Sequence, residues 1–283
     1  MRRRFQQVDV FGAAPFAGNP LAVVLDAEDL STEQMQTFTR WANLSETAFV
    51  LPATSPEADY RVRIFTLAGE LPFAGHPTLG SCHAWLATGG APHRADVIVQ
   101  ECGAGPVRIR RDAVGLAFAA PPLIRTGPVE ESFLEELAGI LGLDRNEIVA
   151  AEWVDNGPGW VGLLLPDAAT VLAVEPDFSR YAGEGTLDIG LVGPYRSPAE
   201  YAFEVRALFS DQHGTMREDP VTGSLNASLA QWLLATGRAT APYVASQGTR
   251  LGRSGRPRIS QDRDGAVWVG GATVTCIDGT VDI

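Results

Sequence analysis

Four side chains, at three places in the chain, have the chemistry to move a proton or hold an anion. Glu46 stands in "ANLSETAFVLP" (42 to 52), between polar Asn43, Ser45 and Thr47 and just ahead of the apolar run AFVL. Such a run reads as a buried strand, and taking a carboxylate out of water is costly. Glu46 therefore either faces solvent or is a base whose partial burial lifts its pKa toward the range useful for carbon acids. His76, beside Gly75 in "GHPTLGS", is a hydrogen-bonded structural histidine or a ligand contact. Asp219 and Ser224 in "EDPVTGS" could touch a substrate, although both types are also favoured helix caps. Glu70 in "GELPFAGH" is expected to brace its loop, and Asn19 in "AGNP" to be a turn residue.

Composition removes several alternative chemistries. All 22 basic residues are arginine, which excludes a lysine Schiff base and a P-loop lysine. The three cysteines, Cys82, Cys102 and Cys276, are odd in number and far apart, so reduced thiols are expected rather than a disulfide framework. His76, His83, His93 and His213 form no H-x-x-x-H pattern and no Cys/His cluster, so no metal site is expected. "GPGWVG" (157 to 162) fits G-x-G-x-x-G but leads into LLLP, a strand, so no helix N-terminus is there to receive a pyrophosphate. "ECGAG" (101 to 105) joins two strands and reads as a hairpin with an inert Cys102. A net charge of −12 and a pI near 4.8 give no footprint for nucleic acid or anionic membrane. No stretch approaches a membrane span. The basic run Arg2 to Arg4 lacks the apolar segment of a signal peptide, and a cytoplasmic location is expected.

The elements that must position these residues come in two sets. In the first half, FQQVDVF, LAVVLDA, TAFVLP, YRVRIFT, VIVQ, PVRIRR and GLAFAAPP read as strands. Ser31 caps a helix carrying Met35, Phe38 and Trp41 at helical spacing. "SCHAWLAT" reads as a helix buried on most sides and ended by Gly89 and Gly90. The second half repeats the first: residues 62 to 89 match 205 to 237, each a VR strand, a loop, x-Pro-x-x-Gly-Ser, and an apolar helix stopping at Thr-Gly. Pro77, Gly80 and Ser81 are thereby set against Pro220, Gly223 and Ser224. Upstream, "GNPLAVVL" echoes in "GPGWVGLLL" and "ETAFVLP" in "GTLDIGLVGP". An ordered series of echoes means duplication. With the double proline at 121 and 122 as the break, the domains are expected at 1–122 and 123–283, with the final strand free to return to the first. Duplicated domains leave a cleft, a favoured ligand site, into which each buried helix can aim its N-terminal amides.

Five segments in order, "FAGNPLAVVL", "NLSETAFVL", "LPFAGHPTLG", "EDPVTGS" and "SQGTRLGR", resemble the signatures of the PhzF-like isomerases of phenazine biosynthesis. The resemblance spans almost the whole chain. It implies an α+β fold of two pseudo-symmetric domains, each a mixed, mostly antiparallel barrel-like sheet around a central helix, as in diaminopimelate epimerase. It implies that Glu46 is the general acid/base, moving a proton between carbons of a small, cyclic carboxylic acid without metal or organic cofactor. His76, Asp219 and Ser224 would contact the substrate, and amides around Gly75, Gly80 and Gly223 would hold its carboxylate. The related epimerases place a catalytic cysteine ahead of each central helix; the expected positions here are Ala74 and Asp219, so two-thiol racemisation is excluded. Ala74 and Pro77 depart from the family pattern, and the proline is expected to stiffen the loop. Two other readings remain: an epimerase or racemase using non-thiol bases, and a silent metabolite-binding or scaffold protein. The resemblance further implies a homodimer, a small-molecule carboxylate as the partner, and neither nucleic acid nor membrane.

Overall fold

A computed structural model of the chain describes residues 1–112, 115–181, 186–210 and 216–283. His213 lies outside them. The chain divides into two compact units, Met1–Ala119 with Trp268–Ile283, and Ala120–Val267.

In the first unit, alternating apolar runs form β1 (Arg2–Val10), β2 (Asn19–Val24), β3 (Glu46–Leu51), β4 (Tyr60–Thr66), β5 (Glu70–Leu71), β6 (Val97–Cys102), β7 (Gly105–Asp112) and β8 (Gly115–Ala119). Two helices interrupt them, α1 (Thr32–Ala42) and α2 (Gly75–Ala87). Ser31 opens α1 with a reciprocal capping box to Gln34. Met35 and Phe38 of α1 pack on Val24, Phe49 and Phe65 along one side of the sheet. The opposite side takes α2, which packs against β1, β2, β3, β4 and β8. That helix is apolar all round, as a helix enclosed by strands must be. Pairing is mostly antiparallel (β1–β2, β3–β4, β4–β5, β6–β7, β7–β8), with parallel β2–β3 and β4–β6.

The second unit contains β9 (Arg125–Gly127), α3 (Glu131–Leu141), β10 (Ala150–Asp155), β11 (Val161–Leu164), α4 (Ala168–Ala173), β12 (Asp188–Pro194), β13 (Phe203–Ser210), β14 (Met216–Asp219), α5 (Gly223–Ala235), β15 (Tyr243–Gln247) and β16 (Arg258–Gln261). Its pairings repeat those of the first: antiparallel β10–β11, parallel β11–β12, antiparallel β12–β13 and β13–β14, parallel β13–β15, antiparallel β15–β16. The strands carrying the sequence echoes, β2 with β11 and β3 with β12, occupy the same places in this order. Leu225, Leu229 and Trp232 of α5 pack on Val192, Val205 and Ala207 of the sheet. Leu134, Leu137 and Leu141 of α3 pack on Val161, Leu191 and Leu208.

The chain then passes through β17 (Val267–Gly271) into β18 (Thr273–Asp282). β17 pairs with β8, and β18 runs antiparallel along β1 from Arg2↔Asp282 to Val10↔Thr273. The second unit thus closes at Val267 rather than running to residue 283, and the last strand belongs to the first unit. Among the described residues, no helix is long and apolar enough to cross a membrane.

One internal correspondence differs from the sequence reading. Both central helices are 13 residues long and both stop at Thr-Gly, so Gly75 answers to Gly223 and His76 to Ser224. Pro77-x-x-Gly80-Ser81 lies inside α2, whereas Pro220-x-x-Gly223-Ser224 straddles the start of α5. Pro77 therefore stiffens no loop: it sits in the first turn of α2, where a missing N–H costs no helical bond.

Candidate active site

In the first unit the structure brings Glu46, His76 and Asn19 together. Glu46 opens β3 opposite Thr66, and its side chain is 18% exposed. His76 is the second residue of α2, and its ring is buried. Nε2 of His76 lies 3.6 Å from Glu46 Oε2, and Nδ1 lies 3.5 Å from the amide nitrogen of Asn19. With Asn19 donating to Nδ1, the single proton of a neutral ring sits on Nε2, directed at the carboxylate. A carboxylate so close would favour an imidazolium, but burial is the larger effect and pushes the His76 pKa down to about 3. The ring is neutral, and its Nε2 has no hydrogen-bond partner among the described residues.

Asn19 is not the turn residue that its sequence context suggested. It is the first residue of β2 and fully buried. The signal that could have found it is the reach from a strand start to a helix start, which spacing does not display.

The start of α2 adds donors. Ala74 precedes it and supplies no side-chain cap. The first-turn N–H groups of Gly75 and His76 have no intrahelical acceptor, and Pro77 has no N–H. Gly80 does not belong with them: it lies in the second turn, where its N–H is spent inside the helix. A Cβ there would come within 2.5 Å of Leu21 Cδ2, so Gly80 is the close-packing point of α2 on β2 rather than a carboxylate contact.

In the second unit, Asp219 ends β14 and accepts a 2.6 Å hydrogen bond from Thr222 Oγ1. The residue just ahead of α5 is Thr222, so the counterpart of Ala74 is Thr222 and not Asp219. Neither position holds a thiol. Gln247, whose segment was noticed in the sequence without a role, ties the loop together. Its Oε1 accepts from the Thr222 N–H (3.0 Å) and from Asn226 Nδ2 (2.7 Å), and its Nε2 donates to Thr222 Oγ1 (2.9 Å). In the first unit Gln100 reaches the first turn of α2 itself, its Nε2 donating to Thr78 Oγ1 (3.0 Å). Ser224 accepts from the Trp160 indole at 3.2 Å, which leaves its hydroxyl proton to donate elsewhere. Gly223 and Ser224 open α5 without a side-chain cap.

The other sequence-marked residues lie apart. Glu70 is held by a two-pronged Arg63 contact at 2.7 and 2.6 Å, bracing its loop. His83 bonds Thr275, and His93 pairs with Asp59. Cys102 closes the tight β6–β7 turn, and burial raises its pKa. "GPGWVG" enters β11, a strand. Among the described residues no group of three or more His, Cys, Asp or Glu is placed to hold a metal ion.

Comparison with known proteins matches residues 8–279 to the family described as phenazine biosynthesis-like protein. The chain is 34% identical over 295 residues to the Schizosaccharomyces pombe protein named antisense-enhancing sequence 1, covering 97% of each. It is also 34% identical over 263 residues to trans-2,3-dihydro-3-hydroxyanthranilate isomerase of Pseudomonas aeruginosa, covering 89% of this chain and 88% of that one. A crystal structure of a PhzF-family protein from Enterococcus faecalis shares its fold, with a TM-score of 0.80 over 100% of both chains at 24% identity.

Proposed function

Because the chain belongs to the phenazine biosynthesis-like family and is an isomerase, we propose that it moves a proton between carbons of a small, cyclic carboxylic acid, with Glu46 as the carrier. The Glu46 carboxylate takes a proton from a carbon next to an unsaturated system. The C–H electron pair enters that system, a new C–H bond forms at another carbon on the same face, and Glu46 is left ionised again. One C–H bond breaks and one forms, so the balance calls for neither redox partner nor cofactor. Neutral His76 holds its Nε2–H toward the reacting region, where a donor stabilises developing negative charge. The uncapped N–H groups of Gly75 and His76 would receive the substrate carboxylate. The proposal extends to Asp219, Gly223 and Ser224 at the start of α5 as substrate-binding residues.

The observation that carries this reading is the 3.6 Å approach of Glu46 to a neutral, buried histidine at an uncapped helix start. The test uses trans-2,3-dihydro-3-hydroxyanthranilate, the substrate in the relative's name, in heavy water. The wild type should exchange a ring proton and isomerise, and Glu46→Gln should lower both by roughly 10²–10⁴-fold while keeping affinity. Isomerisation by Glu46→Gln within tenfold of wild type would remove Glu46 from the role. Binding without any exchange in the wild type would instead identify a silent binding protein. The proposal extends to a homodimer, checked by sedimentation, and to a cytoplasmic location, checked by fractionation.

A further inference from the structure

The duplication carries a second carboxyl that the mechanism above does not use. β3 opens at Glu46 opposite Thr66, and its next residue pairs with Ala22 of the parallel strand β2. β12 opens at Asp188 opposite Phe209, and its next residue pairs with Val161 of the parallel strand β11. Further along, Val50 faces Val62 and Val192 faces Val205, the shared VR positions. Asp188 therefore occupies in the second unit the place that Glu46 occupies in the first.

The side it faces follows from the strand's two-residue period. Gly190 lies so close to α5 that a Cβ on it would come within 2.3 Å of Leu225 Cδ1. Asp188, two residues earlier, shares that face and stands toward the first turn of α5. Its Oδ2 lies 3.8 Å from where a Gly159 Cβ would be, against the turn that leads to Trp160 and through it to Ser224.

Resting on the isomerase reading, we propose that Asp188 is a substrate-binding residue that acts as a neutral carboxylic acid, donating a hydrogen bond to an anionic oxygen of the ligand held at the start of α5. The surroundings favour the protonated form. Burial, then the charge of Asp155, lift its pKa to about 7. Asp155, on β10, is itself fixed by the N–H groups of Gly157 and Gly159. Among the described residues, the positions set beside it on the other flanking elements are uncharged: Val161 on β11, Phe209 on β13, and Gly223, Ser224 and Leu225 on α5, with Arg217 one strand further out, paired with Phe209. A protonated acid on the α5-facing side of β12, together with the Ser224 hydroxyl and the first-turn amides of α5, would make a donor set suited to an anion. The ionised form would repel one.

The test probe is 3-hydroxyanthranilate, the flat aromatic form of the ring in the relative's substrate. Its affinity for the wild type should fall about tenfold from pH 6 to pH 8, as a single group with a midpoint near 7 loses its proton. Asp188→Asn keeps a donor and cannot ionise, so its affinity should stay flat. In protein carrying carbon-13 at aspartate carboxyls, the Asp188 resonance, found by its absence in that variant, should titrate near 7 alone and higher with probe bound. A wild-type affinity that is flat with pH, or a resonance unmoved by probe, overturns the proposal, and neither reading depends on the variant's activity. The Glu46 reading fails separately, through exchange that survives Glu46→Gln.

Discussion

The protonation state of His76 decides how Glu46 is used, and it can be read from stability. An imidazole with a pKa near 3 in the folded protein and 6.5 when unfolded stabilises the fold while neutral. That contribution is complete above pH 6.5 and is lost as pH falls toward 3, because only the unfolded chain then binds the proton freely. The full difference is about 5 kcal/mol, of which about 2.7 kcal/mol has gone by pH 4.5. His76→Gln removes the titrating group and keeps a polar side chain. Urea unfolding of both proteins at pH 7.5 and pH 4.5 gives two stability differences, and the wild type's advantage should shrink by about 2.7 kcal/mol at the lower pH. Other acid-sensitive groups are common to both proteins and cancel. If His76 were instead an imidazolium paired with Glu46, its folded pKa would be raised and the wild type's advantage would grow as pH fell toward 4.5. That opposite sign would refute a neutral donor at Nε2, and with it the proton placement assigned through Asn19.

Two further substitutions separate packing from chemistry. Asn19→Leu removes the donor at Nδ1 and releases the ring's tautomer, so kcat should fall about five- to tenfold with KM little changed; nitrogen-15 shifts of His76 should show mixed tautomers, and a single unchanged one would refute the assignment. Gly80→Val forces side-chain atoms onto Leu21, Val10 and Val8 and should cost about 2–3 kcal/mol in urea unfolding, while KM of the folded fraction stays put. A selective rise in KM would return Gly80 to the carboxylate site.

The architecture was legible because strands advertise themselves locally. The VR strand, the "ETAFVLP" echo and the Thr-Gly stops each report an element through period and punctuation, and repeating them in order reports the duplication. The pairings repeat in the same order as those echoes, from β1–β2 through β6–β7 and again from β10–β11 through β15–β16. Ser31 was equally readable, since a capping box is a contact between residues three apart. What could not be read was anything carried across the fold. Asn19 meets His76 through tertiary packing, and nothing in "AGNP" distinguishes that from a turn. The return of the final strand to the first unit was open in the sequence reading, but its partner, β1, and its register came only with the structure.

The error at the helix starts has a physical cause with a consequence for function. Pro-x-x-Gly-Ser is a string of small and rigid residues that suits two different jobs. In α2 it serves a close helix–strand approach at Gly80, whereas at α5 it serves the turn into the helix. Matching strings therefore set the wrong residues side by side, while matching helix ends pairs His76 with Ser224 and Ala74 with Thr222. Under the corrected pairing the two helix starts are alike as scaffolds, each uncapped and each tied down by a strand glutamine, Gln100 or Gln247. They differ in the side chain each carries at its second residue, a buried imidazole (His76) on α2 and a hydroxyl (Ser224) on α5. Duplication kept the amide-lined frame, and the proposed base and the proposed acid fall at one and the same register position, Glu46 opening β3 opposite Thr66 and Asp188 opening β12 opposite Phe209, so a one-carbon change of side chain at that position is what the two proposals set against each other.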